Sequence, residues 1–267
     1  MATHTNSGVA VVTGASSGLG AVFARKLAAR GHSLLLSARR EDRLLELAAE
    51  LRRQYSVEAG AVRVDLSVPG EIEGFAADLA ADSRVTMLVN NAGFGTKGRF
   101  WETNPNGQEA MHNVHVMAAM KLTRAVLPGM VERNRGAVIN VSSVAGFARS
   151  QANVSYCATK AWMNAFTEGL YLELKGAGSD VRVQALCPGF TYTEFHDVMG
   201  VDRNKIARSL WMKSEDVVEA SLQGLEDDKL FVIPGWRYKL IVALLTKLPT
   251  GLRLRVEARS AHTSDRL

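Results

Sequence analysis

Seven short apolar runs alternate with helical patterns along the chain, and this alternation restricts the fold more than any other feature. The runs are Val9–Val12, Ser33–Ser37, Ala61–Asp65, Met87–Asn90, Ala137–Val141, Arg182–Leu186 and Leu230–Ile233. They are rich in Val, Leu and Ile at consecutive positions, as expected of parallel strands buried on both faces. Between them lie helical patterns at Gly18–Arg30, Glu41–Tyr55, Pro69–Ala81, Asn106–Arg133, Asn153–Lys175 and Ser214–Leu225. The order predicts an α/β chain: a single Rossmann-like, doubly wound sheet of about seven parallel strands with helices on both faces. Right-handed crossovers put its ligand crevice at the carboxyl ends of the strands.

With 267 residues, 47% of them hydrophobic, the chain suits one large domain. Residues 8–235 are expected to form its core, 236–258 a basic amphipathic C-terminal helix, and 259–267 a disordered tail. From Lys229 onward eight Lys and Arg face only Glu257 and Asp265, a balance of +6 against a chain total of +5. The body is therefore close to neutral, which argues against a nucleic-acid partner. The segment before Val9 does not resemble a secretory signal, and no apolar run reaches the roughly 18 residues of a spanning helix. Two cysteines, Cys157 and Cys187, form no disulfide framework. The expected compartment is the cytoplasm, and no metal is expected.

The first strand runs into Thr13-Gly-Ala-Ser-Ser-Gly-Leu-Gly20 and then a helix. Gly14, Gly18 and Gly20 let the backbone turn tightly against a pyrophosphate. Ser16, Ser17 and Leu19 complete the turn, and the helix N-terminus supplies N–H donors. At the end of the second strand, Ala38 stands where an NAD-binding chain places an acid for the ribose 2′-hydroxyl. Arg39 and Arg40 follow it. A guanidinium suits a 2′-phosphate, so NADP is the expected cofactor, with Arg39 the primary contact and Arg40 directed toward solvent. Asp65 and Leu66 end the third strand, where an adenine would lie. Asn90, Asn91, Ala92 and Gly93 end the fourth, with small residues and amides suited to close contact with a dinucleotide.

Tyr156 and Lys160 are four residues apart on a predicted helix and so share a face. An ammonium beside a phenol favours the phenolate and lowers a pKa of about 10. Tyr156 is thus a candidate general acid.

Taken together, TGASSGLG at 13–20, DL at 65–66, NNAG at 90–93, INVSS at 139–143, YCATK at 156–160 and CPG at 187–189 resemble the short-chain dehydrogenase/reductase family, in the NADP-preferring carbonyl reductase form, over roughly residues 8–235. The resemblance implies that Ser143, thirteen residues before Tyr156, polarises a substrate carbonyl, while Ser142 points to the other face. It implies that Tyr156 exchanges a proton with the substrate oxygen. Lys160 binds the nicotinamide ribose and lowers the Tyr pKa, and Pro188, Gly189, Thr191 and Thr193 border the nicotinamide. Seven residues before Leu122, where the family carries an Asn that holds a proton-relaying water, this chain has His115; Asn113 is expected to face elsewhere. A neutral imidazole is expected there, holding such a water or carrying the proton itself.

In this fold the loops after NNAG, Ser143 and CPG shape substrate specificity. They supply Phe94, Phe147, Phe190, Tyr192 and Phe195, with Met199, Trp211 and Met212 nearby. The implied substrate is a small hydrophobic carbonyl compound: a 3-oxoacyl chain, a steroid-like ring system or a xenobiotic ketone. The alternative function is a non-catalytic NADP-binding redox sensor. A homodimer or homotetramer built on the two long helices is implied. The segment 236–258 suits either peripheral contact with a membrane or packing over the pocket or a neighbouring subunit, the latter favoured.

Overall fold

A computed structural model of the chain describes residues 8–96, 98–195 and 206–265, with side chains through Ala258. It contains β1 (Val9–Thr13), α1 (Gly18–Ala29), β2 (Ser33–Ala38), α2 (Glu41–Tyr55), β3 (Ala59–Arg63), α3 (Pro69–Ala81), β4 (Val85–Asn90) and α4 (Pro105–His112). A π-helical segment (Asn113–Ala118) leads into α5 (Ala119–Glu132), β5 (Ala137–Val141), α6 (Val154–Gly176) and β6 (Arg182–Leu186). The chain continues through α7 (Ser214–Glu226), β7 (Phe231–Val232), α8 (Trp236–Lys247) and α9 (Thr250–Asp265). The seven strands form one parallel sheet in the order β3-β2-β1-β4-β5-β6-β7. Strand order reverses between β1 and β4, so the crevice opens beyond their carboxyl ends.

Alternate residues of β1 feed opposite faces, as the pleat requires. Ala10 and Val12 pack in the layer holding Phe23, Leu27, Leu44, Leu51 and Val218. Val9 and Val11 pack in the layer holding Ile72, Phe75, Leu122 and Met130. Both faces are buried, which is why the strands read as continuous apolar runs. The helices follow local rules. In α2, Leu44, Leu47, Ala48 and Leu51 make one buried stripe. Its first turn carries Glu41 and Asp42 and its last Arg52 and Arg53, each matched to the helix dipole. Pro69 opens α3, where its missing N–H costs nothing.

Four expectations are corrected. β3 lies two residues earlier than the alternation suggests, because its register against β2 pairs Leu34 with Ala59 and Ala38 with Arg63. Asp65 and Leu66 therefore follow the strand rather than end it. The helix expected over 106–133 is interrupted at Asn113–Ala118 by a π-turn, whose extra residue per turn rotates the following face. The C-terminal segment is two helices rather than one, divided at Pro249, which has no N–H to continue α8. Beyond 258, where a disordered tail was expected, α9 continues to Asp265.

Candidate active site

The Gly-rich turn is locked to the end of β4 through one hydroxyl and one amide. Thr13 Oγ1 donates to the Val89 carbonyl at 3.3 Å and accepts the N–H groups of Asn91 and Ala92, both at 3.0 Å. Asn91 Nδ2 donates back to the carbonyls of Thr13 at 2.8 Å and Gly14 at 3.2 Å. Only glycine fits this seam. Gly14 has φ +65°, and a Cβ on Gly20 would lie 2.3 Å from the Gly14 carbonyl oxygen. The backbone can therefore approach a bound pyrophosphate closely beside the N-terminus of α1.

A cavity of about 530 Å³ runs from this turn across the strand ends to Tyr156 and Phe195. Gly14, Ser16, Ser17, Gly18 and Leu19 line one end with Arg39, Arg40, Asp65 and Leu66. Asn91, Ala92, Gly93, Phe94, Ser143, Tyr156, Lys160, Pro188, Gly189, Thr191, Thr193 and Phe195 line the rest. These residues come from seven separate segments, brought together by the reversal of strand order. They fit a dinucleotide, with cations at one end, glycine backbone in the middle and a phenol–amine–hydroxyl group at the other.

Several expected site residues lie outside the lining. Gly20 supports the turn from beneath. Asn90 is a core amide, whose Nδ2 donates to Thr123 Oγ1 and to Asn140 Oδ1. Phe147 packs edge-on against Phe231 instead of the pocket, with centroids 5.8 Å apart. Tyr192 stacks on Trp211 at 4.9 Å and is partly exposed. Met199 lies outside the described residues. Phe190 lines the cavity as expected, and the lining also includes Cys157, Asn153 and Glu194. Asn153 and Cys157 flank Tyr156 at helical spacing, a signal that could have marked both.

The arginines divide differently from expectation. Arg40 is not simply solvent-facing: its guanidinium donates to Ser16 Oγ (3.1 and 3.2 Å) and Ser17 Oγ (2.7 Å) and pairs with Glu194 at 2.9 Å. Glu194 also pairs with Arg43 at 2.8 Å. Arg39 lines the cavity and acts on Asp65 by charge. Burial would raise the Asp65 carboxyl, but two hydrogen bonds from Ser67 and the charges of Arg39 and Arg63 together hold it low.

At the far end, Ser143 leaves β5 and caps a short 3₁₀ turn, its Oγ accepting the Ala145 N–H at 3.1 Å. Ser142 Oγ is turned to the Lys160 carbonyl at 3.1 Å. Lys160 Nζ donates to the Val141 carbonyl at 2.8 Å and lies 5.9 Å from the centre of the Tyr156 ring. Burial dominates both titrations. It pushes the Tyr156 phenol up to about 12, although the Ser143 hydroxyl pulls the other way. It brings the Lys160 amine down to about 8. Desolvation sets the direction of the phenol's shift, opposite to the lowering that the ammonium was expected to give. At neutral pH the phenol keeps its proton.

His115 is fully buried in the π-turn. Thr159 Oγ1 donates to the Tyr156 carbonyl at 2.9 Å, so at 2.9 Å from His115 Nδ1 it accepts, and Nδ1 carries the proton. Nε2 accepts the Phe94 N–H at 3.2 Å. Both ring nitrogens are therefore committed to protein partners. Burial first, then the Lys160 charge, holds the imidazole well below its usual pKa, so the ring is neutral. Its geometry is that of a strut between Phe94, Thr159 and the edge of the Tyr156 ring (centroids 5.8 Å apart), without the free nitrogen a water relay needs. Asn113 faces away, donating to the Ser67 carbonyl at 3.0 Å.

The C-terminal helices close the site from outside. Tyr238 of α8 donates its hydroxyl to the Leu210 carbonyl at 2.7 Å and accepts the Phe190 N–H at 3.0 Å. A Cβ on Gly189 would lie 2.0 Å from its ring.

Comparison with known proteins agrees with this geometry. The family described as short chain dehydrogenase matches residues 8–203. The 7beta-hydroxysteroid dehydrogenase of Collinsella aerofaciens is 34% identical, over 86% of each chain. A very-long-chain 3-oxoacyl-CoA reductase of Bos taurus is 33% identical, over 95% of this chain and 80% of that one. A short-chain dehydrogenase from Sphingobium yanoikuyae, solved in complex with NADPH, superposes with a TM-score of 0.81 at 34% identity, covering 91% of this chain and 97% of that one. On these matches the chain belongs to the short-chain dehydrogenase family, oxidoreductases that act on CH–OH and C=O groups with NAD(P).

Proposed function

We propose that the chain is an NADPH-dependent reductase of bulky hydrophobic ketones, such as oxo-steroids, 3-oxoacyl thioesters or aryl ketones. The observation that carries this reading is a cavity with Arg39 at its entrance and Ser143, Tyr156 and Lys160 at its far end. When bound, the cofactor supplies a hydride at its nicotinamide ring. Ser143 would donate a hydrogen bond to the substrate carbonyl oxygen, and Tyr156 would deliver its proton to that oxygen as negative charge develops. Lys160, as the ammonium, would offset that charge and hold the nicotinamide ribose. His115 would position Tyr156 and Phe94 without taking part in proton transfer. Phe94, Phe190 and Phe195 supply an apolar wall, and among the described lining residues at this end the only cation is Lys160, already engaged with the Val141 carbonyl. The proposed preference for NADPH makes reduction the expected direction. Exposed apolar residues on α5 (Met120, Val131) and α6 (Val154, Leu172) support assembly of the implied homo-oligomer through those helices.

The test is NADPH oxidation over a panel of oxo-steroids, 3-oxoacyl thioesters and aryl ketones. Tight NADPH binding without turnover on any of them would favour the redox-sensing alternative. Arg39→Ala in the same assay is expected to raise KM for NADPH by roughly 10- to 100-fold, the loss of one charge-assisted phosphate contact, and to leave KM for NADH unchanged. An equal effect on both cofactors would remove the 2′-phosphate assignment.

The pH dependence follows from the two shifted groups. Tyr156 holds its proton up to about 12, so it does not titrate in the accessible range. Lys160 loses its charge as pH rises through about 8. The reductive kcat/KM, measured at limiting NADPH where the free enzyme's groups are read, should be flat below that point and fall about tenfold per pH unit above it. A profile that rises through pH 8 would contradict the assignment of Lys160.

A further inference from the structure

We propose that α8 and α9 form a docking surface for an anionic lipid bilayer, set against the loops that bound the cavity. In α8, Trp236, Leu240 and Leu244 recur one turn apart and are 66%, 53% and 56% exposed. Ile241 widens this stripe, while Tyr238 and Val242 on the opposite edge are buried in the protein. The helix thus has one apolar edge committed to the fold and another uncovered. In α9, Leu252, Leu254 and Val256 are similarly exposed.

The charge on this surface selects the occupant. Between Trp236 and Val256 the sequence has Arg237, Lys239, Lys247, Arg253 and Arg255 and no carboxylate. A second copy meeting this face about a twofold axis would set cations against cations. An anionic headgroup layer instead complements the charge while the acyl boundary takes the apolar stripe. Trp236 stands at the start of the helix with the Arg237 guanidinium 4.7 Å over its ring, an amphipathic pair suited to the headgroup level. Among the described residues no helix is long and apolar enough to cross a membrane, so the pair lies in the interface.

The surface is tied to the cavity at two points. Tyr238 bonds the Phe190 N–H and the Leu210 carbonyl. The Glu257 carboxylate accepts the Arg149 N–H at 2.8 Å, in the loop that follows Ser143. Docking would therefore hold the substrate end of the cavity at the lipid surface, where an apolar ketone partitions; only this consequence rests on the function proposed above.

The experiment is co-sedimentation of the full chain, without substrate, with phosphatidylcholine vesicles that contain or lack phosphatidylserine. Wild type is expected to sediment with the anionic vesicles only, and less as salt is raised. Leu240→Glu/Leu244→Glu and Lys239→Glu/Lys247→Glu should each weaken this roughly tenfold or more, with unchanged circular dichroism and thermal midpoint. A blue shift of emission on vesicle addition that is lost in Trp236→Phe would place the helix itself in the interface. Absence of wild-type sedimentation with either vesicle overturns the proposal. So does a Leu240→Glu/Leu244→Glu chain whose mass by light scattering falls while its vesicle binding is that of wild type, which would assign the stripe to a second copy. Because no substrate is present, a failure to find ketone turnover leaves this result standing, and the reverse also holds.

Discussion

Tyr156→Phe is expected to lower ketone reduction by about 10²- to 10⁴-fold, the contribution of a positioned general acid, while NADPH affinity and the unfolding midpoint stay near wild type. The substitution removes one oxygen and leaves the ring. That ring is held by His115 edge-on at 5.8 Å and by a tilted Phe195 ring at 5.9 Å, contacts that a phenyl group keeps. What disappears is a group that is protonated at neutral pH and hydrogen-bonded with the Ser143 hydroxyl. Steady-state turnover with calorimetric titration of NADPH separates the two effects. Retention of more than about a tenth of the turnover would mean that another acid protonates the product.

Gly20→Val should act on the fold and the cofactor together. A Cβ at this position would lie 2.3 Å from the Gly14 carbonyl oxygen and 2.6 Å from Asn91 Nδ2, the amide that joins the turn to the end of β4. The obstacles are backbone and a hydrogen-bonded strap, neither of which can rotate aside. Overpacking of this kind costs about 1–3 kcal/mol, which for a chain of this size lowers the unfolding midpoint by roughly 2–10 °C. NADPH affinity should fall at least about tenfold, since the turn must move away from the pyrophosphate. Differential scanning calorimetry with and without NADPH reads both. A variant with wild-type midpoint and affinity would show that the close seam is not needed.

The sheet, its helices and the Tyr156–Lys160 pair were legible because each depends on local pattern, whereas Ser143 entered only through the family resemblance. Buried strands such as β1 and β5 show continuous apolar residues, and Tyr156 and Lys160 share a helix face through spacing alone. What escaped depends on contacts distant in sequence. β3 is one of the two edge strands, with a mixed burial pattern, and its position is set by pairing with β2. The π-turn around His115 leaves no trace in a 3.6-residue periodicity. Asn90 sits within the NNAG motif, yet its amide is taken by Asn140 on the neighbouring strand. The phenol pKa was misjudged because proximity to an amine is visible in the sequence and desolvation is not. The separate roles of Arg39 and Arg40 turn on Ser16, Ser17 and Glu194, which come from both ends of the fold.

The position of Tyr238 has a practical consequence for deletion work. Ending the chain at Gly235 would strip the aromatic lid from Gly189 and leave the Phe190 amide and the Leu210 carbonyl without their shared phenolic partner. Such a shortened protein would show altered ketone selectivity whether or not it had ever touched lipid. Loss of activity on trimming could not be read as loss of targeting, and surface point changes that spare the phenol are the cleaner instrument.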